Sequence, residues 1–343
     1  MTNTISDLIK NNMNKLNNRI IQKDKILNMI FEKRSVSLAI IIILMSIVTS
    51  FIYPETFFTA DNFKTLTRNS VTDGIVAIGM TIVFISGGFD LSVGSTMLLV
   101  AGVTAYTISF WGFPVIAGII VGLIAAAFCG VFNGVIIAIF NVNPFITTLA
   151  SMGIIRGLKE QVAGTGILVY NDFFKSISQT KLLNTQLPIF YLLFFIIVFT
   201  YFLMRNRFFR GFYYVGGNEL SARISGINVR KLKITSYIFT GVFAGIAGIV
   251  MASRIGGALI TTGGGIELRV ITATVLGGAS LDGGEGSIIG SVLGVFFMNL
   301  IHNVLIMAHI SPYLIRVVFA GVLLLAVSLD VLIKRQRKMT IYS

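Results

Sequence analysis

From Leu91 to Ile155 the chain runs for 65 residues without an Asp, Glu, Lys or Arg. At about 1.5 Å of rise per residue, that run is long enough for more than two crossings of a hydrocarbon core about 30 Å thick. A water-soluble core has no room for it. The rest of the chain agrees, since 55% of its 343 residues are hydrophobic and only 12% are charged, against roughly 25% charged in an ordinary soluble domain.

Reading apolar runs between charge clusters and turn residues predicts ten helical membrane segments. They lie at about 36–53, 72–87, 91–110, 114–140, 144–163, 186–204, 235–255, 266–281, 286–307 and 312–333. The expected fold class is therefore all-α and polytopic, with about ten transmembrane helices. Of the 27 Lys and Arg, seven fall in residues 1–34, seven in 205–233 and four in 334–338. Such clusters beside apolar runs mark cytoplasmic segments. Ten crossings that begin inside place both termini and the segment 205–234 on the cytoplasmic side. The net charge of +13 thus reports orientation, and no nucleic-acid partner is expected.

The organisation that follows is a basic cytoplasmic segment at 1–35, a membrane body at 36–333 and a basic tail at 334–343. In the first of these, Ile5, Ile9, Met13, Leu16 and Ile20 recur at helical spacing; a surface-lying amphipathic helix and a solvated tail both fit. No small-residue cleavage site follows the first apolar run, which is expected to be retained as a helix. The single Cys129 rules out a disulfide within the chain and reads as a packing residue.

Several joints carry local turn chemistry. Trp111 to Pro114 combines a turn with interfacial aromatics, Asn141 to Pro144 forms another turn with Pro144 suited to a first helical position, and Gly263, Gly264 and Gly265 break the chain before Ile266. Thirty-five glycines let helices approach closely and break inside the membrane. Two glycine-rich stretches, GGFDLSVGS at 87–95 and GGASLDGGEGS at 277–287, each open with Gly-Gly, carry an acid and close with Gly-Ser ahead of an apolar run. Internal duplication and convergent turn chemistry both account for the likeness.

Four stretches, GGFDLSVGS (87–95), NPFITTLASMGIIRGL (143–158), GGNELSARISGINVRKLK (216–233) and TATVLGGASLDGGEGSIIGSVLG (272–294), together resemble the membrane permease subunit of ribose-type ATP-driven sugar importers. The likeness covers about residues 36–333, in the same order and at similar spacing. It implies a permease in a bacterial inner membrane that pairs with a second permease subunit, binds a cytoplasmic ATP-binding subunit and receives sugar from an extracytoplasmic sugar-binding protein. The same resemblance makes the segment 216–233 look like the family's coupling loop, with Gly217, Asn218, Glu219, Ala222, Arg223 and Gly226 as ATPase-coupling residues. Leu220 and Ser221 stand where the family pattern has Ala, and Arg269 stands where an acid is expected after Glu267-Leu268. A plain solvated loop is the alternative reading of the segment.

Residues expected to line the path or its gate are Asp90, Ser92, Asn143, Thr147 and Thr148, with Asn133 and Ser151 nearby. A neutral sugar needs scattered hydrogen-bonding groups, though these hydroxyls can equally bond helix carbonyls. An ionised acid deep in lipid costs several kcal/mol, so Asp90 belongs at an interface, in a wet cavity or beside positive charge. It either caps the third segment against the helix dipole or contacts cargo. Arg156 is expected near the outer face, snorkelling to headgroups or lining the entrance. His302 and His309 are assigned no chemistry.

The sequence holds no G-x-x-x-x-G-K-[ST] loop, so this chain is not expected to hydrolyse ATP itself. Neither a cofactor nor a metal is expected, because no His/Cys/acid cluster has ligand spacing. Rival readings are an ion-coupled secondary transporter, disfavoured by the few acids inside the spans, and import of nucleosides or branched-chain amino acids within the same superfamily.

Overall fold

The computed structural model describes residues 34–183, 185–259 and 265–341. The expected amphipathic segment at 5–20 and the Gly263-Gly264 part of the break before Ile266 lie outside the described residues. Helices dominate. In chain order the elements are α1 (Arg34–Ile52), α2 (Pro54–Phe57), α3 (Ala60–Ile85), α4 (Val93–Ser109), α5 (Val115–Ile139), α6 (Pro144–Ala163), β1 (Ile167–Leu168), α7 (Asp172–Gln179), β2 (Lys181–Leu182), β3 (Thr185–Gln186), α8 (Pro188–Arg205), α9 (Arg207–Gly217), α10 (Glu219–Ile224), α11 (Val229–Ile255), β4 (Gly257–Ala258), α12 (Ile266–Leu276), α13 (Ile288–Met307) and α14 (Pro312–Ile341). The strands are two-residue clasps: β1 pairs antiparallel with β4, Ile167 opposite Ala258, and β2 with β3.

Each of the ten expected segments overlaps one of these helices, with α3 beginning twelve residues before its segment and α14 running on to Ile341. Among the described residues, six helices are long and apolar enough to cross a membrane: Ser35–Ile52, Ala60–Ile85, Val115–Ile139, Pro188–Arg205, Val229–Ile255 and Ile288–Met307. Val93–Ser109 and Pro312–Ser328 are shorter apolar helices, and α6 has 20 residues but carries Arg156, Lys159 and Glu160. The eighth segment departs from expectation. Its helix α12 has 11 residues, about 16 Å at 1.5 Å per residue, which is half of the hydrocarbon thickness. The crossing expected at 266–281 is a half-helix followed by an irregular stretch, because the Gly-Gly at 277–278 ends the helix where a hydropathy reading continues through Ala279 and Leu281.

The centre of the bundle is made by α3 and α11. From Ser70 to Ile85 every residue of α3 is buried, the all-round burial of a helix enclosed by other helices. Outer helices sort their residues by face. On α5, Ile116, Ile120, Ile124 and Phe128 are exposed, while Gly118, Gly122, Ala126, Gly130 and Gly134 are buried. Both series repeat every four residues or so, the spacing that keeps them on opposite sides of a helix. The small stripe brings backbones together: a Cβ on Gly134 would lie 2.8 Å from the Ile234 Cα of α11. Large apolar groups are left facing outward, where lipid replaces a protein neighbour.

Candidate functional site

The segment between α8 and α11 is built from three asparagine caps. Asn206 Oδ1 accepts from the Phe208 N–H at 2.8 Å, Asn218 Oδ1 from Ser221 N–H at 2.9 Å, and Asn228 Oδ1 from Lys231 N–H at 3.0 Å. Each satisfies an N–H that the first turn of a helix leaves without an intrahelical partner. Between the second and third caps sits α10. Its Ala222 is buried, whereas Leu220 and Ile224 are 68% and 79% exposed, an apolar pair at i, i+4 on the free side of the helix. Glu219 bridges to Lys233 of α11 and lies 3.5 Å from Arg223. Gly226 closes the turn at φ +80°, a conformation that a side chain makes costly.

This segment meets both glycine-rich breaks largely through backbone. A Cβ on Gly216 would overlap the Ile85 carbonyl oxygen and lie 2.6 Å from Gly284 N and 3.0 Å from Gly87 N; one on Gly283 would lie 2.7 Å from Gly87 Cα. The Gly284 N–H donates to the Ile85 carbonyl at 2.9 Å, and the Tyr213 hydroxyl of α9 donates to the Gly286 carbonyl at 3.0 Å. The ends of α3, of the stretch after α12 and of α9 thus form one knot. The two breaks also share a turn. Gly87 and Gly88 donate back to Phe84 and Val83, and Gly278 and Ala279 donate back to Val275 and Thr274. Gly87 and Gly278 have φ of +75° and +97°, so both helices stop in the same left-handed C-terminal turn.

Asp90 lies just past the first break and is 2% exposed. Its Oδ1 accepts from the Ser92 N–H at 2.8 Å and the Ser92 hydroxyl at 2.6 Å. Asn133 Nδ2 of α5 donates to Ser92 Oγ at 2.9 Å, and the Ser151 hydroxyl of α6 donates to Asn133 Oδ1. A buried chain of polar groups therefore ties the start of α4 to α5 and α6. Asp90 holds the residue preceding α4 rather than the first-turn N–H groups of that helix. The Tyr237 hydroxyl of α11 pins the same break, donating to the Phe89 carbonyl at 3.0 Å. Of the other residues expected along the path, Asn143 caps α6 through Phe145 N–H at 2.8 Å. Thr147 and Thr148 donate to the carbonyls of Asn143 and Pro144 at 3.0 and 2.8 Å, which leaves their hydroxyls bonded within their own helix.

Sequence reasoning missed Asp73. It sits midway along the 26-residue α3 with a side chain 4% exposed, and its Oδ2 lies 2.8 Å from Arg269 Nε of α12. Asn299 Nδ2 of α13 adds a bond at 3.3 Å. The arginine that departs from the resemblance is therefore the counter-charge of a buried acid. The first turn of α12 therefore packs beside Asp73, three residues into the continuously buried part of α3 that begins at Ser70. Beside it opens a cavity of about 1390 Å³, lined by α4 (Gly94, Ser95, Leu98), α6 (Arg156, Lys159, Glu160), α12 (Glu267, Arg269, Thr272), His302 of α13 and α14 (Arg316, Phe319, Leu323). Arg156 lies across it, 3.9 Å from Glu267. None of Asp90, Ser92, Asn143, Thr147 or Thr148 lines this space.

Residues 62–328 match the family described as branched-chain amino acid transport system / permease component. The chain belongs to that permease family. The permease is 35% identical over 299 residues to the ribose import permease protein RbsC of Escherichia coli K12, covering 86% of this chain and 92% of that protein. Against RbsC of Bacillus subtilis the identity is 35% over 300 residues, 85% and 90% of the two chains. The L-arabinose permease protein AraH of Azospirillum brasilense is 33% identical over 283 residues, 82% and 83%. No solved structure matches the permease. These relatives and the apolar helices make it a multi-pass membrane protein, and the knot at 85–87, 216–217 and 283–284 lies at the end that carries the family-like loop.

Proposed function

We propose that this chain is the membrane-spanning subunit of an ATP-driven, binding-protein-dependent importer of a monosaccharide, a ribose-like pentose or a related sugar. In this reading it sits in a bacterial inner membrane as one of two permease subunits. A cytoplasmic ATPase docks on α10, and an extracytoplasmic sugar-binding protein delivers cargo at the opposite face.

The observation that carries the reading is the construction around α10. A short helix shows Leu220 and Ile224 to solvent, and the chain entering it is locked by Gly216 against the ends of α3 and of the post-α12 stretch. An apolar pair on a capped, charged helix suits insertion into a cleft of a partner. A push on that helix reaches the membrane helices through backbone contact, with no side chain in between to yield. The relatives named for ribose and L-arabinose support a sugar cargo.

The test is reconstitution with a cognate ATPase and sugar-binding protein, followed by ATP-dependent uptake of radiolabelled D-ribose, L-arabinose and L-leucine. Uptake of a pentose with no uptake of leucine supports the reading. Leucine uptake alone replaces the sugar with an amino acid, and uptake driven by an ion gradient without ATP ends the importer assignment.

A further inference from the structure

Two helices that meet beside the cavity begin uncapped by any side chain: α4 behind Ser92 and α12 behind Gly265. Their first turns face each other, since a Cβ on Gly94 would overlap a Glu267 carboxylate oxygen. Only a residue without a side chain lets that carboxylate rest on the opening turn of α4, where the unpaired N–H groups and the positive dipole end favour an anion.

The next residue, Ser95, is 2% exposed and borders the cavity, yet its hydroxyl has no hydrogen-bond partner among the described residues. Other buried hydroxyls nearby do bond; Thr272 Oγ1, for example, donates to the Leu268 carbonyl at 2.7 Å. Buried polar groups in native proteins are almost always satisfied, so an idle hydroxyl on a residue that lines a cavity has capacity for an added partner. Arg156 approaches the same place from α6, with its guanidinium 3.9 Å from Glu267, too far for a tight bidentate pair and near enough to share a ligand.

We propose that this junction of α4 and α12 is a holding station for the translocating sugar, in which Ser95 and Arg156 donate to sugar oxygens and Glu267 accepts from sugar hydroxyls. The proposal rests on the importer reading and adds the place where cargo pauses. A vicinal diol offers two donors at a spacing that one carboxylate takes with both oxygens, while its own oxygens accept from the serine and the arginine. The cavity is larger than the roughly 300–1,000 Å³ of a fitted small-ligand pocket, so the sugar meets polar groups on one wall and keeps its water on the other. That arrangement holds cargo weakly, as passage requires. A cation fits poorly, because Arg156 and Arg269 both face the space and Asp73 is already paired.

The assembled importer is tested in lipid nanodiscs with its ATPase and binding protein, with Cys129→Ser removing the only native thiol. Ser95→Cys is labelled with a small methanethiosulfonate reagent, with the binding protein either loaded with D-ribose or L-arabinose or empty, and the complex is trapped by ATP and vanadate. Labelling slowed severalfold by the sugar is expected at Ser95→Cys and not at Thr65→Cys, outside the cavity. Glu267→Gln, which keeps the shape of the side chain, is expected to lower pentose uptake about tenfold, the loss of one charge-assisted hydrogen bond. Equal labelling with and without sugar, or full uptake by Glu267→Gln, in a complex whose wild type imports a pentose, overturns the station and leaves the importer reading standing. A wild-type complex that imports neither sugar overturns both.

Discussion

Replacing Gly216 by Ala tests whether backbone contact joins the loop carrying α10 to the bundle. The new methyl group would overlap the Ile85 carbonyl oxygen and sit 2.6 Å from Gly284 N. Both neighbours are backbone and cannot rotate away, so the methyl wedges between the Gly284 N–H and the Ile85 carbonyl, now 2.9 Å apart, and strains the packing of α9 against them. Overpacking costs about 1–3 kcal/mol and a stranded buried donor about 1–3 kcal/mol, giving about 4 kcal/mol together. For a chain of this size such a loss lowers Tm by on the order of 10 °C. Gly217→Ala is the matched control, because nothing lies within 4 Å of a Cβ there. The assays are thermal unfolding of the purified permease and sugar-stimulated ATP hydrolysis of the assembled complex. Gly216→Ala should fall well below Gly217→Ala in both. If the two variants behave alike, the knot does not carry the load assigned to it.

Asp73→Asn leaves Arg269 without its counter-charge and should cost about 3–5 kcal/mol, read as lost membrane abundance and Tm, whereas Asp73→Asn with Arg269→Gln should recover much of the loss; a double variant no better than the single one refutes the pairing. Asp90→Ala strips the Ser92 N–H and hydroxyl of their acceptor, and a drop of about 2–4 kcal/mol in stability is expected, checked by denaturant unfolding in detergent; normal membrane levels together with normal uptake would remove its role. Gly226→Trp places a bulky residue at a φ of +80° on the exposed turn after α10, and should leave the permease in the membrane while abolishing transport-linked ATP hydrolysis; unchanged hydrolysis counts against docking at α10.

The spanning helices were legible because long apolar runs have few other solutions, and turn residues such as Pro144 and Pro188 fall at helix starts. The half-helix α12 was not, since hydropathy continues past Leu276 although the backbone stops. What stops it is the Gly277-Gly278 pair, the same turn that ends α3 at Gly87. Asp90 with Ser92 two residues on could be read as a local turn, and the chain of bonds onward to Asn133 and Ser151 depends on two further helices. Asp73 escaped notice, and Glu267 was read only as part of a family stretch, because each is a lone acid at the edge of an apolar run. Their partners, Arg269 and Arg156, sit far away in sequence. Asking where each intramembrane charge finds its opposite would have pointed to both.

The pair that links α3 to α12 also sets a schedule for biogenesis. Asp73 and Arg269 are 196 residues apart, and at about 5–20 residues per second of synthesis the acid waits roughly 10–40 s for its partner to be made. Throughout that interval α3 carries a carboxylate without its counter-charge, which favours its lingering at the insertion machinery or in a wet, half-built bundle. Commitment of the early helices to the bilayer is thereby tied to arrival of the late ones, and a ribosome that stalls before codon 269 leaves behind a fragment marked for removal.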